Sequence, residues 1–379
     1  MKIASRWGAS LTVAALAVVL AACGDNGNGI DDDAAAEDEN GEPIELRAGT
    51  GLSAQHAWWE ATMVPWMERV EELTDGQVTF TEFTGGELVD VPDEIDAIRD
   101  GTIDVTLALP IYLPGQFPMA EVTMLPISHS DTEIASQAWQ DLLNSDEELV
   151  DGQSYYDAQF GEAGLQSWAV SATEEYAIST TGVEFDSVDT IQGLSLRTPS
   201  RIHEMYAANV GIDSVTIPAV EMFDALSRGA FDGSFYSVAD WSGYGFQDLF
   251  MYTLTDINFG HFNALISMTE DTWNDLPENV QTAMDEAHDD IFMDGAREWI
   301  DRSEEMREYN TGEGGTFESF DDLDQDVQDH LLGGIEDTWM DYIQLLEDDG
   351  LPGTEVAILW RDILVDNGGE VPEAIADLE

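Results

Sequence analysis

Apolar and polar residues alternate over 44–50, the period of a half-buried strand. Trp59, Met63, Trp66, Met67, Val70 and Leu73 then recur at helical steps, so 58–73 reads as a helix with one apolar face, ending at Asp75-Gly76. A second strand covers 78–83. Pro92 opens a short helix that runs through Arg99 and stops at Gly101, and the apolar run 103–109 is a buried strand broken by Pro110. Strand and helix alternate, which predicts an α/β sheet. The aromatic stretch 112–118, with Tyr112 and Phe117, follows a strand end, where open α/β sheets bind ligands.

Ser130-Asp131-Thr132-Glu133 has the capping-box pattern and starts another helix, with strands following over 165–170 and 176–180. An apolar run then ends at Arg197. Thr198 and Pro199 come next, and Ser200 is placed to cap a helix that runs to Gly211. A strand over 214–217, a helix over 218–228 and a strand over 230–236 complete a second α/β unit. Residues 277–309 are a long acidic helical stretch, long enough to touch both halves. The order of elements repeats between the halves, but no sequence repeat does.

Arg197 is the most informative position. It sits beside the N-terminal end of a helix, where backbone N–H groups point outward, and a guanidinium fork holds both oxygens of a carboxylate. Lys2 is the only lysine, and the chain has 79 Asp and Glu against 12 Lys and Arg, for a formal charge of −67. A charge of this sign excludes nucleic acid and is repelled by anionic lipid. It is tolerated where salt screens it, so the surface reads as adapted to high salt. With 43% hydrophobic residues, including 11 Trp and 15 Phe, the chain is a cored globule of about two domains, not a disordered polyacid.

Lys2 and Arg6 precede an apolar run from Leu11 to Leu20 and the sequence Leu20-Ala21-Ala22-Cys23-Gly24. This reads as an export signal with a lipobox, too short to span a membrane well, with Cys23 receiving a lipid after cleavage. Cys23 is the only cysteine, so no intramolecular disulfide is available. The expected organisation is a signal peptide over 1–22, a disordered acidic tether over 23–42, a first lobe of 43–172 with about 260–300, and a second of 173–259 with about 301–379.

In this order, several segments resemble the solute-binding proteins of TRAP (tripartite ATP-independent periplasmic) transporters. They are Val70-Glu71-Glu72-Leu73-Thr74-Asp75-Gly76, Gly101-Thr102-Ile103-Asp104, Leu125-Pro126-Ile127, Gly193 through Pro199, Glu221 through Gly233, and Leu276-Pro277. The resemblance covers roughly residues 44–287. It implies a two-lobed periplasmic-binding-protein-like α/β fold with crossing strands, a long spanning helix and a ligand in the cleft between lobes. It also implies delivery of an organic acid to permease subunits in the membrane, usually driven by sodium. The family's arginine in "G-x-x-x-R-x-P" pairs with the ligand carboxylate, and Arg197 occupies that position. Where the family often has a second arginine, this chain has Glu174-Glu175-Tyr176. Where a ligand-contacting Asn often follows "D-G", it has Ser234-Phe235-Tyr236-Ser237. Both departures install aromatics, which favours a monocarboxylate with an apolar or aromatic body.

The expected ligand-binding residues are therefore Arg197, Tyr236, Tyr176, Tyr112, Phe117, Trp241 and Trp58. Trp58 serves equally well as part of its helix's core face. Arg201 reads as one half of a surface ion pair. His56, His203 and His261 read as surface or core, since no histidine has metal-ligand spacing, and the acidic runs 31–33 and 321–326 lack the EF-hand pattern. No cofactor or metal is expected, and the chain is read as a monomer in the cell envelope, outside the cytoplasmic membrane. No GxSxG elbow, P-loop lysine or free cysteine nucleophile marks an enzyme. The other readings are a sensory lipoprotein that feeds a receptor and a surface esterase-type hydrolase. From composition alone, the melting temperature is expected to rise steeply as KCl or NaCl approaches molar levels, because screening relieves self-repulsion. A thermal denaturation series in salt checks this, and a flat response refutes it.

Overall fold

The computed structural model describes residues 41–149, 152–217 and 219–378. The predicted signal, Cys23 and residues 23–40 of the predicted tether, with Asp31, Asp32 and Asp33, lie outside them. Among the described residues eleven strands form two sheets. The first holds β1 (Ile44–Gly49), β2 (Val78–Phe83), β3 (Val105–Ala108), β4 (Leu165–Ala169) and β10 (Leu265–Thr269), in the order β2-β1-β3-β10-β4. The second holds β5 (Tyr176–Thr180), β6 (Ser195–Arg197), β7 (Asp213–Val215), β8 (Gly233–Ser237), β9 (Tyr252–Thr255) and β11 (Thr316–Ser319), in the order β11-β9-β5-β8-β6-β7. In each sheet an α/β unit supplies parallel pairs; β10 joins the first sheet and β5 the second antiparallel to their neighbours, while β11 pairs parallel with β9.

Two short segments cross between the sheets, from β4 to β5 and from β9 back to β10, and the longer stretch 270–315 leads from β10 to β11. The two crossing segments bond to each other. Val170 N–H donates to the Ala264 carbonyl at 3.0 Å, Thr173 N–H to the Phe262 carbonyl at 3.0 Å, and Tyr176 N–H to the Gly260 carbonyl at 2.9 Å. Gly260 is required here: its φ is 86°, and an added Cβ would meet the Met124 backbone at 2.5 Å.

The early helix begins as a wide π-turn over Trp59–Met63 before the α-helix Val64–Leu73. Thr74 closes it by donating its hydroxyl to the Val70 carbonyl at 2.8 Å, and Asp75 and Gly76 reverse the chain with φ of 49° and 78°. The capping-box expectation at Ser130 is corrected. The cap is Asp131, whose carboxylate accepts from Ile134 N–H at 2.8 Å, while the Ser130 hydroxyl turns to the Asp131 carbonyl. Ser200 does cap Arg201–Val210, and Gly211 ends that helix at φ 80°.

Helix Glu278–Gly312 has 35 residues and spans roughly 52 Å. Near its start it packs on Val64–Leu73, where Trp66 Nε1–H donates to the Met284 carbonyl at 3.2 Å. Near its end Asn310 donates to the Gln247 and Phe250 carbonyls at 3.0 and 2.7 Å, which ties it to the second sheet's side. Helix Gln325–Asp348 packs on Arg201–Val210, yet Trp339 and Tyr342 donate to the Pro126 and Met119 carbonyls at 2.7 and 3.1 Å. Helix Gly353–Asp366 then lies against Thr132–Leu143.

The long helix approaches the crossing closely at Gly295, where a Cβ would meet Thr62 Oγ1 at 2.5 Å and Ser171 Oγ at 2.7 Å. Gly295→Val is expected to push the helix off the crossing at a cost of about 1–3 kcal/mol, the usual penalty for overpacking. Urea denaturation measures this, and a variant as stable as the parent contradicts the close approach.

Candidate functional site

A cavity lies between the two sheets, beyond the ends of β1, β3 and β8 and against the crossing. Leu52, His56 and Trp58 enter it from the loop after β1, and Leu109 and Tyr112 from the turn after β3. Thr173 and Phe262 come from the crossing segments, and Tyr176, Tyr236, Ser237, Asp240 and Tyr244 from the second sheet's side. Trp299 of the long helix closes one wall. Its volume of about 40 Å³ is room for about three waters. A larger depression of about 430 Å³ beside Leu73 and Glu278 lies on outer helix faces and offers no cation.

The cavity walls are aromatic. Trp58 packs edge-on to Trp299 with centroids 5.5 Å apart and sits 5.9 Å from Phe262, while its Nε1–H donates to the Ser171 carbonyl at 2.8 Å. Phe262 is 5.0 Å from Tyr112 and stacks at 6.3 Å on Tyr176, which is 5.8 Å from Tyr236. Flat apolar faces of this kind receive a planar ligand body.

Arg197 ends β6 and pairs in register with Ser234 of β8. It is 1% exposed, the one buried arginine among the described residues. Its Nε–H donates to the Ile217 carbonyl at 3.1 Å, and its Cζ lies 5.7 Å from the centre of the Tyr236 ring. Nη1 is buried with no partner among the described residues, and no acid forms an ion pair with this guanidinium there. Arg197 does not itself line the cavity; it meets it through the Tyr236 ring. The helix N-terminus beside it is already occupied. Glu121, from the first lobe, accepts Arg201 N–H at 2.9 Å and Arg201 Nε–H at 2.5 Å. The expected surface pair of Arg201 is thus corrected to a pair with a carboxylate only 1% exposed.

A second polar pole faces the cavity. Asp240 accepts the Tyr236 hydroxyl at 2.8 Å, and His56 Nε2 stands 3.8 Å from the same Asp240 oxygen. Burial raises the Asp240 carboxyl above its ordinary range and lowers His56 below its own. Ser237 Oγ is buried and without a partner among the described residues.

Four of the predicted site residues, Trp58, Tyr112, Tyr176 and Tyr236, line this one cavity. Two do not. Phe117 is buried in the first lobe against Phe160, 5.3 Å away, because the turn after Tyr112 points it inward. Trp241 opens the short helix Trp241–Tyr244 and packs between Phe250 and Phe317. His203 and His261 are core residues. His203 bridges Ser200 and the Phe259 carbonyl, and burial pushes it down to about 3. His261 bridges Asn258 and the Thr173 carbonyl. His56, Asp240, Ser237, Tyr244, Phe262 and Trp299 were missed. Asp240 is one acid among 79, and Trp299 is one apolar position of a long helix, so neither carries a local signal.

The family model for the bacterial extracellular solute-binding protein, family 7 (DctP), matches residues 48–329. The chain belongs to this family. It is 28% identical over 177 residues to a monocarboxylate 2-oxoacid-binding periplasmic protein of Nostoc; the match takes in 46% of this chain and spans 44% of the length of that relative. A solved TRAP solute-binding protein from a marine metagenome, specific for aromatic acid ligands and bound to 3-hydroxybenzoate, is similar with a TM-score of 0.76 at 19% identity, over 86% of this chain and 100% of that one. One from Rhodoferax ferrireducens with copurified benzoate is similar with a TM-score of 0.72 at 18% identity, over 86% and 98%. The two-lobed fold is theirs, and by its family this chain is a bacterial extracellular solute-binding protein.

The loop that brings Leu52 and His56 to this solute-binding protein's cavity is held by a buried acid. The Thr50 hydroxyl and Gly51 N–H both donate to Glu94 Oε1, at 2.8 and 2.9 Å. Burial pushes Glu94 up to about 8 from 4.5. Between those values the folded protein holds a proton that the unfolded chain sheds. The contribution of this group to stability is full below pH 4.5 and lost as pH rises through 8. Glu94→Gln imitates the protonated form, so its melting temperature in molar KCl is expected to fall less between pH 5 and 8.5 than the parent's. Some slope persists, because Glu175, pushed up to about 7 by burial and by Glu174, titrates in the same window. Equal slopes refute the assignment.

Proposed function

We propose that the protein captures a monocarboxylate with an apolar or aromatic body and hands it to the two membrane subunits of an ion-driven TRAP permease. The observation that carries this reading is the Arg197 guanidinium, buried, bonded only through Nε to a backbone carbonyl, with Nη1 unpartnered among the described residues. A buried cation calls for an anion, and a ligand carboxylate meets that need. Tyr236, Tyr176, Tyr112 and Trp58 would hold the body of the ligand, with Tyr176 in place of the second cation. The relatives that bind 3-hydroxybenzoate, benzoate and 2-oxoacids support the same ligand class. The lobes, divided as predicted at the crossing segments, would close on the ligand. In this reading the protein works as a monomer without catalysis, is tethered through a lipid on Cys23, and carries an acidic surface suited to salt.

Calorimetric titration with benzoate, the three hydroxybenzoates, mandelate and pyruvate tests the reading. At least one acid should bind the parent, and Arg197→Ala should lose about 3–5 kcal/mol, roughly two to four decades in affinity. Arg197→Lys should recover part of this, and Tyr176→Phe should cost about 1 kcal/mol. A parent that binds none of these acids, or a folded Arg197→Ala protein of unchanged affinity, overturns it.

A further inference from the structure

The pole opposite the guanidinium has a hydrogen-bond pattern of its own. Trp58 N–H points at His56 Nδ1 at 3.3 Å, which makes Nδ1 the acceptor and leaves the proton of the neutral ring on Nε2. That Nε2–H faces an Asp240 oxygen across 3.8 Å, too far for a direct hydrogen bond. Asp240 is 8% exposed and takes one bond here, from the Tyr236 hydroxyl at 2.8 Å. Ser237, 1% exposed, lines the same cavity with its hydroxyl unpartnered among the described residues. A donor, an acceptor with spare lone pairs and a hydroxyl unpartnered among the described residues thus line one cavity, whose other walls are mostly rings.

Resting on the carboxylate reading above, we propose that His56, Asp240 and Ser237 form a hydroxyl-recognition subsite, so that the ligand is a hydroxylated aromatic monocarboxylate. A hydroxyl between His56 and Asp240 accepts from Nε2–H and donates to the carboxylate, and Ser237 takes its remaining capacity. An ammonium is a donor only and would meet the His56 N–H head-on. A bare ring would close the cavity over an Asp240 oxygen and a Ser237 hydroxyl with nothing to bond, and buried unmet polar groups of this kind reject the ligand that lacks the matching group. The Tyr236 ring joins the two poles, with the Arg197 guanidinium over its face and Asp240 at its hydroxyl. Its geometry therefore couples recognition of the carboxylate to recognition of the hydroxyl.

The experiment titrates the full chain in molar KCl with benzoate, 2-, 3- and 4-hydroxybenzoate and 3-(aminomethyl)benzoate. The best hydroxybenzoate is expected to bind about 10- to 100-fold more tightly than benzoate, and the ammonium compound no better than benzoate. Asp240→Asn should collapse that preference to within about threefold. Ser237→Ala, a smaller change in a buried strand, should reduce it by about threefold or more and serves if Asp240→Asn does not fold. Benzoate that binds in an Arg197-dependent way as tightly as every hydroxybenzoate overturns the subsite and leaves the carboxylate reading standing. A preference for the ammonium compound overturns the subsite as well, and so does a hydroxyl preference unchanged in both variants. Failure of all five acids to bind removes the carboxylate reading for aromatic bodies and the subsite with it.

Discussion

A guanidinium buried away from water has to be answered by an anion, and no acid among the described residues pairs with Arg197. The chain carries 79 acidic residues, and among the described residues arginines such as Arg47, Arg201, Arg302 and Arg307 find one or more of them. At Arg197 the neighbours are a backbone carbonyl, the face of Tyr236 and the neutral ring of His203, itself kept uncharged by burial. Glu121 approaches the adjacent helix end but is taken up by Arg201. Leaving one charge uncompensated costs several kcal/mol in an empty protein, and that energy becomes available to whatever anion completes the pair.

Placement of the cavity follows from the crossing. Two segments that run between the sheets bond to each other through their backbones, so Thr173, Tyr176 and Phe262 are carried by the most constrained part of the chain. The remaining walls arrive on loops anchored elsewhere. Glu94 holds the loop before His56, and Gly295 lets the long helix lie close enough for Trp299 to reach the rings. The two halves of the wall thus belong to different sheets. Helix Gln325–Asp348 also ties the two sides together, since it packs on helix Arg201–Val210 while donating hydrogen bonds to the 119–126 segment.

The electrostatics divide by depth. Outside, carboxylates face solvent, where salt screens them and single ion pairs contribute little. Inside, the ionisable groups are few, and apart from Arg197 several are held in their less charged form or tied to a specific partner. Burial raises Glu94 and Asp240 and lowers His56, His203 and His261. The cavity is therefore a low-dielectric compartment in a polyanionic shell. Arg197, the one buried arginine among the described residues, lies against it through the Tyr236 ring.

Periodicity along the chain was enough to place β1, β2, β5, the capped helix after Ser200 and the long helix, because those elements bury one face and show it as a two- or 3.6-residue rhythm. The same rhythm cannot say which face of a loop looks at a ligand. Phe117 and Trp241 look like Tyr112 and Tyr236 in sequence, yet the turn after Tyr112 sends Phe117 into the lobe core, and Phe250 with Phe317 encloses Trp241. Arg197 was legible because a cation is rare in this composition and its strand–turn–helix setting is local. Asp240, His56 and Trp299 were not, because they come together from a second-lobe helix start, a first-lobe loop and the long helix. Only the packing of two sheets across a shared crossing brings side chains so far apart in the chain within a few ångströms of one another.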